Sequence, residues 1–410
     1  MGEKKIYLVG VGPGAETLLT GEARAAIAAS PGLIGAERLL SAVDNISGGK
    51  NRYALTGAEE IIRLIEASPH GEFTVLFSGD CGFYSGAGKL IPLIKKRGWS
   101  FRVLNGISSL VYFTGLLGLP WEDVQVVSLH GREGNIIGPV LYHGKTFFLT
   151  GGETTAGGTT AARLCEVLTR GGLGKLTVHV GEKLSYPDER LRSGPAEHLA
   201  ALRFDPLSVA LVENPGPLPL SRGNYTLGDD EFIRAAVPMT REEVRAVSLA
   251  KLRLENDSVA YDIGAGTGSV SCEMALRARY GRVYAVEHNP DALTLVEQNR
   301  EKLGLWNITV VPGTAPEALE GLPPADRVFI GGSSGRLEPI LAGVLEKNPR
   351  CRVVINAITL ETLSAATALM KKHALPNTDV VEITLSKAAE RGGYHLMRAL
   401  DPVYIISGGG

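Results

Sequence analysis

Two short stretches place glycines directly after an apolar run, where a backbone turn can meet a ligand. In YDIGAGTGSV, Tyr261 to Val270, Gly264, Gly266 and Gly268 alternate after Asp262. Glycine lets a strand-to-helix turn bend tightly and approach a ligand without a Cβ in the way. Ligands of doubly wound sheets collect at the carboxyl ends of the strands. Glu287 closes the next apolar run, RVYAVE, where an acid holds ribose hydroxyls. A carboxylate at Asp262 is ill placed beside a pyrophosphate, because like charges repel at short range. The loop also departs from the dinucleotide fingerprint, with Ser269 at its sixth position. The pattern suits a nucleoside ligand bearing an ammonium group, such as S-adenosylmethionine. A turn that only packs tightly would show the same glycines.

The second stretch, IYLVGVGPGAE from Ile6 to Glu16, formally fits GxGxxA. Pro13 argues against a phosphate cradle, since proline removes a backbone N–H at the centre of the turn. Glu37 follows LIGA but leads straight into a helix rather than ending a second strand. This loop is expected to shape a cleft.

These loops need sheets to hold them. The 410 residues suffice for two domains, and 44% hydrophobic against 21% charged residues describes a globular chain with sizeable cores. A net charge of −2 argues against a general nucleic-acid binder. The apolar run after the N-terminal lysines breaks at Gly10, too early for a signal peptide, and no run approaches a membrane span. Cys81, Cys165, Cys272 and Cys351 form no CxxC pair, and the eight histidines show no HxxxH spacing. Neither a disulfide framework nor a metal site is expected, and a reducing cytoplasm fits.

Apolar runs at 6–12, GEFTVLFSGD and FRVLNG alternate with helical patterns at 15–29, GAGKLIPLIKKRG and ISSLVYFTGLLG, which predicts a largely parallel α/β sheet. From VQVVSLHG to PLSVALVE the strands look mixed, as in a second lobe. ENPGPLPLSRGNYTLGDD has no periodicity and reads as a linker, with a boundary near 215–225. From MTREEVRAVSLAKLRL the alternation restarts; Thr240 and Glu243 form a capping-box pattern. The expectation is two unrelated α/β domains, 1–220 and 225–410.

The C-terminal motifs DIGAGTGS, VYAVEHNPDAL, GTAPEAL, ADRVFIGGSSG and INAITLET resemble the seven-strand, Rossmann-like methyltransferases. Within them they are similar to the domain that methylates a precorrin at carbon 15 with decarboxylation. The resemblance implies an S-adenosylmethionine site made by Thr240, Gly264, Ala265, Gly266, Thr267, Gly268 and Glu287, with Thr314 and Ala315 over the adenine; the charge argument adds Asp262, facing the ammonium group directly or through water. The N-terminal motifs VGVGPG, FSGDCGFYSGAGKL, NGISSL, LHGRE and VGEKLSYPDERLRSG resemble the two-lobed tetrapyrrole methylases. That resemblance implies a second cofactor site at Gly79, Asp80, Ser108 and Ser109. Cys81 stands where that family usually has proline, which is expected to loosen the turn.

Together the halves resemble fused corrin-pathway enzymes that methylate meso carbons 5 and 15 and remove an acetate carboxyl. The resemblance implies a precorrin substrate and a homo-oligomer, and leaves the cobalt-containing substrate of the anaerobic route open. An NAD(P)-dependent oxidoreductase and a non-catalytic tetrapyrrole sensor are the readings from other classes. The sulfonium cofactor is itself the activated electrophile. Loss of carbon dioxide feeds electrons into the conjugated ring whose carbon is methylated. A polycarboxylate substrate calls for cations: Arg132, Arg190 or Arg192 in the first domain, and Arg241, Arg245, Lys387 or Arg391 in the second. GGSSG, Gly331–Gly335, is expected to let substrate approach the methyl group. Each cation is equally readable as a solvated surface charge.

Overall fold

The computed structural model describes residues 4–48, 50–130, 134–151 and 159–410. The chain divides into two compact units. One comprises Met1–Gly134, Gly144–Arg170 and Gly174–Pro215; the other comprises Asn135–His143, Gly171–Leu173 and Gly216–Gly410. The main crossing is thus at Pro215, and two short pieces from the first half of the sequence, expected within 1–220, cluster with the second unit.

The first unit contains two sheets. Strands β1 (Lys5–Gly10), β2 (Gly32–Gly35), β3 (Asn51–Ala54), β4 (Glu72–Phe77) and β5 (Ser100–Leu104) form a parallel sheet in the order β3-β2-β4-β1-β5. Strands β6 (Val124–Ser128), β7 (Lys145–Leu149), β8 (Thr177–Glu182), β9 (Arg190–Pro195) and β10 (Ser208–Glu213) form a mixed sheet, in which only β6 and β7 run parallel. The long helix expected over 15–29 is shorter. A 3₁₀ turn covers Glu16–Leu18, and the helix Gly21–Ala29 starts where the Thr20 side chain accepts from Ala23 N. Thr20 competes for the backbone at that point, as a capping hydroxyl does.

The second unit is built on seven strands: β11 (Val259–Ile263), β12 (Arg282–Glu287), β13 (Ile308–Pro312), β14 (Arg327–Ile330), β15 (Arg352–Ala357), β16 (Asp379–Ile383) and, after the hairpin β17 (Ser386–Arg391) and β18 (Tyr394–Ala399), β19 (Val403–Gly408). Their order is β13-β12-β11-β14-β15-β19-β16, with β19 antiparallel to both neighbours. Period-two alternation separates two cores. Ala260, Ala285 and Phe329 pack with helices Glu242–Leu252, Ser269–Arg277 and Pro290–Leu303. Tyr261, Ile263, Val286 and Ile330 pack on the other face with helices Leu337–Lys347 and Leu360–Lys372. The order reverses between β11 and β14, which is where such sheets bind ligands.

The capping box expected at Thr240 is not formed. The helix begins at Glu242 with Arg241 as N-cap and no side-chain cap bond, and Glu243 instead pairs with Lys387 at 2.8 Å. The β17–β18 hairpin escaped the sequence reading because both strands are exposed along their length, leaving no alternation to detect. Among the described residues, no helix is long and apolar enough to cross a membrane.

At the carboxyl ends of β1, β4 and β5 the backbone packs on itself. A Cβ on Gly106 would lie 2.3 Å from Gly79 O and 2.5 Å from Gly10 O. Gly106→Ala is expected to destabilise the first unit by about 3 kcal/mol or more, read by chemical denaturation. Gly115→Ala, in a helix position with open space around it, is the control and should be neutral or stabilising by about 0.5–1 kcal/mol. A loss at Gly106 no larger than at Gly115 would refute the packing argument.

Candidate functional site

In the second unit a cleft of about 450 Å³ opens at the switch point, within the range of small-molecule sites. Its floor is the glycine turn after β11. Gly264 N and Ala265 N donate to Val286 O at 3.0 and 3.2 Å, while Gly331 N donates to Ile263 O at 2.9 Å. A Cβ on Gly264 would meet Gly332 N at 2.7 Å, so two loop backbones touch where a side chain cannot fit. The third glycine serves packing: at Gly268 a Cβ would meet Val296 at 3.1 Å, on helix Pro290–Leu303.

Glu287 lies on the cleft wall, its side chain 7% exposed. Its carboxylate accepts from Gly266 N at 2.9 Å, His288 N at 2.8 Å and Asn289 N at 2.9 Å. Three donors fix its orientation, and a carboxylate offers about four acceptor directions. One therefore remains for a hydroxyl.

Of the residues expected here, Thr240, Gly264, Ala265, Gly266, Glu287, Thr314 and Ala315 line the cleft. Thr267, Gly268 and Asp262 do not. Asp262 is corrected most. Alternation along β11 turns it away from Tyr261 and Ile263, under helix Ser269–Arg277. There it is 1% exposed and one oxygen accepts from Ser271 Oγ, while the other has no partner. Burial raises its pKa to about 7 despite the Ser271 bonds, with Glu287 adding to the rise. Asp262 thus presents no oxygen to the cleft, and the argument from charge repulsion loses its geometry.

The cations disperse. Arg241 lines the cleft and donates to Asp401 O at 3.0 Å. Arg245 is wholly buried, bonded to Glu273 and Asp229, and faces no open space. Arg391 and Lys387 lie on the exposed hairpin rather than in the cleft, with Lys387 holding Glu243 below the usual carboxylate range. Arg190 and Arg192 sit on β9, 3.9 and 3.2 Å from the buried carboxylate of Glu182. Arg132 lies outside the described residues. The sequence reading gave no role to Val237, Pro238, Met239, Asn356 and Ile358, all on the cleft wall. Only the apolar character of Val237, Met239 and Ile358 could have drawn notice. Ser333 and Ser334 of GGSSG do line it.

In the first unit the expected residues meet at one loop cluster. Gly12 and Gly79 exchange backbone bonds at 3.1 and 2.8 Å. Asp80 accepts from Gly82 N at 2.7 Å and Gly106 N at 3.2 Å, so its carboxylate ties two loops together. Ser108 caps helix Ser109–Leu117 by accepting from Val111 N at 3.2 Å, and Ser109 opens that helix. Cys81 turns its thiol into the core among Ile6, Leu8 and Leu90, and burial pushes it up to about 12. From the other sheet, Ser185 Oγ accepts from Ala15 N at 2.8 Å, and a Cβ on Gly14 would fall 2.4 Å from the Tyr186 ring. SYPDERLRSG therefore covers the first glycine loop, which sequence spacing could not reveal. Among the described residues no cluster of His, Cys, Asp and Glu could hold a metal.

Asp262 sets a pH dependence. A folded-state pKa of about 7 against 3.8 means the folded chain keeps a proton the unfolded chain has lost. Stability therefore falls as pH rises across that window. Asp262→Asn removes the proton, so from about pH 5 to about pH 8 the wild type should lose melting temperature relative to the variant. Parallel curves would show that the carboxyl ionises normally.

Comparison with known proteins fits this division. The family of tetrapyrrole (corrin/porphyrin) methylases matches residues 5–200, and the precorrin methyltransferase domain matches 231–408. A probable cobalt-precorrin-6B C(15)-methyltransferase (decarboxylating) of Pyrobaculum calidifontis is 43% identical over 44% of this chain and 93% of its own. A precorrin-6Y C(5,15)-methyltransferase [decarboxylating] of Sinorhizobium sp is 28% identical over 95% of this chain and 92% of its own. A crystal structure of a precorrin-6y C5,15-methyltransferase from Geobacter metallireducens GS-15 is 39% identical over 47% of this chain and 100% of its own, with a TM-score of 0.44. The chain belongs to the decarboxylating precorrin C(5,15)-methyltransferase family, a tetrapyrrole methylase followed by a precorrin methyltransferase domain.

Proposed function

We propose that this chain methylates a precorrin at carbons 5 and 15, with loss of an acetate carboxyl, using S-adenosylmethionine at two sites in cobalamin biosynthesis. The observation that carries this reading is Glu287, held by three backbone donors on the wall of a cleft at the switch point. When bound, the cofactor supplies an activated methyl cation equivalent. Glu287 accepts a ribose hydroxyl, the Gly264–Gly266 backbone lets the ligand lie close, and Thr314 and Ala315 cover the adenine. The second site lies at Gly79, Asp80, Ser108 and Ser109, with 1–220 methylating carbon 5 and 225–410 carbon 15.

The chain's own work is to position and to dry the site. Methyl transfer needs the ring carbon aligned at near-contact distance and water excluded. The apolar Val237, Met239 and Ile358 around the mouth suit the flat ring, and Arg241 suits one of its carboxylates. Electrons released as carbon dioxide leaves are useful only where a methyl acceptor is held on the same conjugated system, which places decarboxylation with carbon 15. A homo-oligomer and a cytoplasmic location accompany the reading.

Equilibrium dialysis of the full chain against labelled S-adenosylmethionine should give two sites per chain. Glu287→Gln should weaken one of them by about 10–100-fold, the equivalent of a charge-assisted hydrogen bond. Given precorrin substrate, that variant should still add a methyl at carbon 5 but release little carbon dioxide. A single site in the wild type would overturn the two-site reading. Undiminished carbon dioxide release by Glu287→Gln would overturn the assignment of decarboxylation to the second domain.

A further inference from the structure

Between the linker and helix Glu242–Leu252, residues 227–241 run as an irregular strap whose last five residues, Val237 to Arg241, form one wall of the cleft. Irregular backbone on its own holds a wall poorly, because little regular hydrogen bonding opposes its conformational entropy. Two buried side chains do the holding.

Arg245, 0% exposed, spreads its guanidinium across both ends of the strap. Nη2 donates to Leu227 O at 2.6 Å, Nη1 to Asp229 Oδ1 at 2.7 Å and to Thr240 O, and Nε to Glu273 Oε1 at 2.9 Å. Its face lies 4.8 Å from the Phe232 ring centre. Asn299, also 0% exposed, holds the middle. Its Oδ1 accepts from Ile233 N at 2.7 Å, and its Nδ2 donates to Ile233 O at 3.0 Å and to Thr267 O at 2.9 Å.

The Asn299 carboxamide thus joins the backbone of the strap to the backbone of the glycine turn. These two walls also meet directly, since a Cβ on Gly266 would lie 3.1 Å from Pro238 O. A buried amide whose two donors and one acceptor all go to main chain of the strap and of the glycine turn fixes the spacing of these two segments, each of which supplies a neighbouring stretch of cleft wall. Helix Pro290–Leu303, which carries it, would need only an apolar residue there for packing.

We propose that Asn299 is a positioning residue for the methyl-donor cleft, tying strap to glycine turn, with Arg245 fastening the strap's two ends so that it acts as a fixed wall. The proposal rests on reading this cleft as the S-adenosylmethionine site. It assigns Asn299 to cofactor affinity, with no part in the bond-making step.

Asn299→Asp keeps size and the Ile233 N–H bond but sets an acceptor against two carbonyl oxygens. In the full chain, the KM for S-adenosylmethionine in carbon-15 methylation should rise on the order of tenfold or more, with kcat and the KM for precorrin changed by less than about threefold. A role confined to stability would lower the melting temperature and leave KM unchanged; an unchanged KM therefore overturns the proposal. Ile233→Pro attacks the same junction from the exposed strap, removing the N–H while leaving Asn299 in the core, and should raise KM likewise. If Asn299→Asp does not fold, Ile233→Pro decides alone. Glu287→Gln separates the two levels of inference. If it leaves cofactor binding intact, the cleft has been misread. If it weakens binding while both junction variants keep a normal KM, only the strap proposal falls.

Discussion

Both units depend on backbone meeting backbone at the carboxyl ends of parallel strands. In the first, the loops after β1, β4 and β5 meet at Gly10, Gly79 and Gly106, and a Cβ on Gly10 or Gly106 would overlap a carbonyl oxygen or an amide. In the second, Gly264 rests on Gly332 with no room for a methyl group. Such contacts bring amides and carbonyls into the same small volume. Bonds such as Gly12 to Gly79 and Gly331 to Ile263 then satisfy them locally. The helices, the linker and the covering segments are arranged around these junctions.

Within the second unit, three acidic side chains at or beneath the cleft are stabilised by three different means. Glu287 stays on the surface of the cleft and takes three backbone donors. Glu273 is buried and raised by burial, against which the Arg245 guanidinium works. Asp262 is buried without a cation, so its carboxyl holds its proton to about neutral pH. Only the first can meet a ligand directly. The other two shape the field and the framework behind the loop, which is why charge alone was a poor guide to which acid faces the cleft.

The order of elements was legible in the sequence for most strands with a buried face; β2, buried at all four residues, was not read as a strand because GLIG is too short to show a period. RVYAVE, ADRVFIGG and CRVVINA all became strands of the second sheet, and the glycine turn sits where the alternation of strand and helix placed it. Exposed elements were not legible: β17 and β18 lack any buried face, and β9 was read only as a set of charges. The cap at Thr240 failed for a related reason. Local pattern offered a hydroxyl and a glutamate at the right spacing, but Arg245 takes the Thr240 carbonyl and Lys387 takes the Glu243 carboxylate.

By itself the sequence determined the two α/β regions, the two glycine turns, and the acid at the end of β12, because these follow from periodicity, glycine's conformational freedom and fixed spacing along the chain. Tertiary structure alone decided which face of β11 carries Asp262, that Arg245 is a core clamp, and that Asn299 joins the 227–241 strap to the glycine turn. The reason is sequence distance: Asn299 meets Ile233 and Thr267 at |i−j| of 66 and 32. Contacts that far apart are set by how helices dock on the sheet, and no local pattern records them.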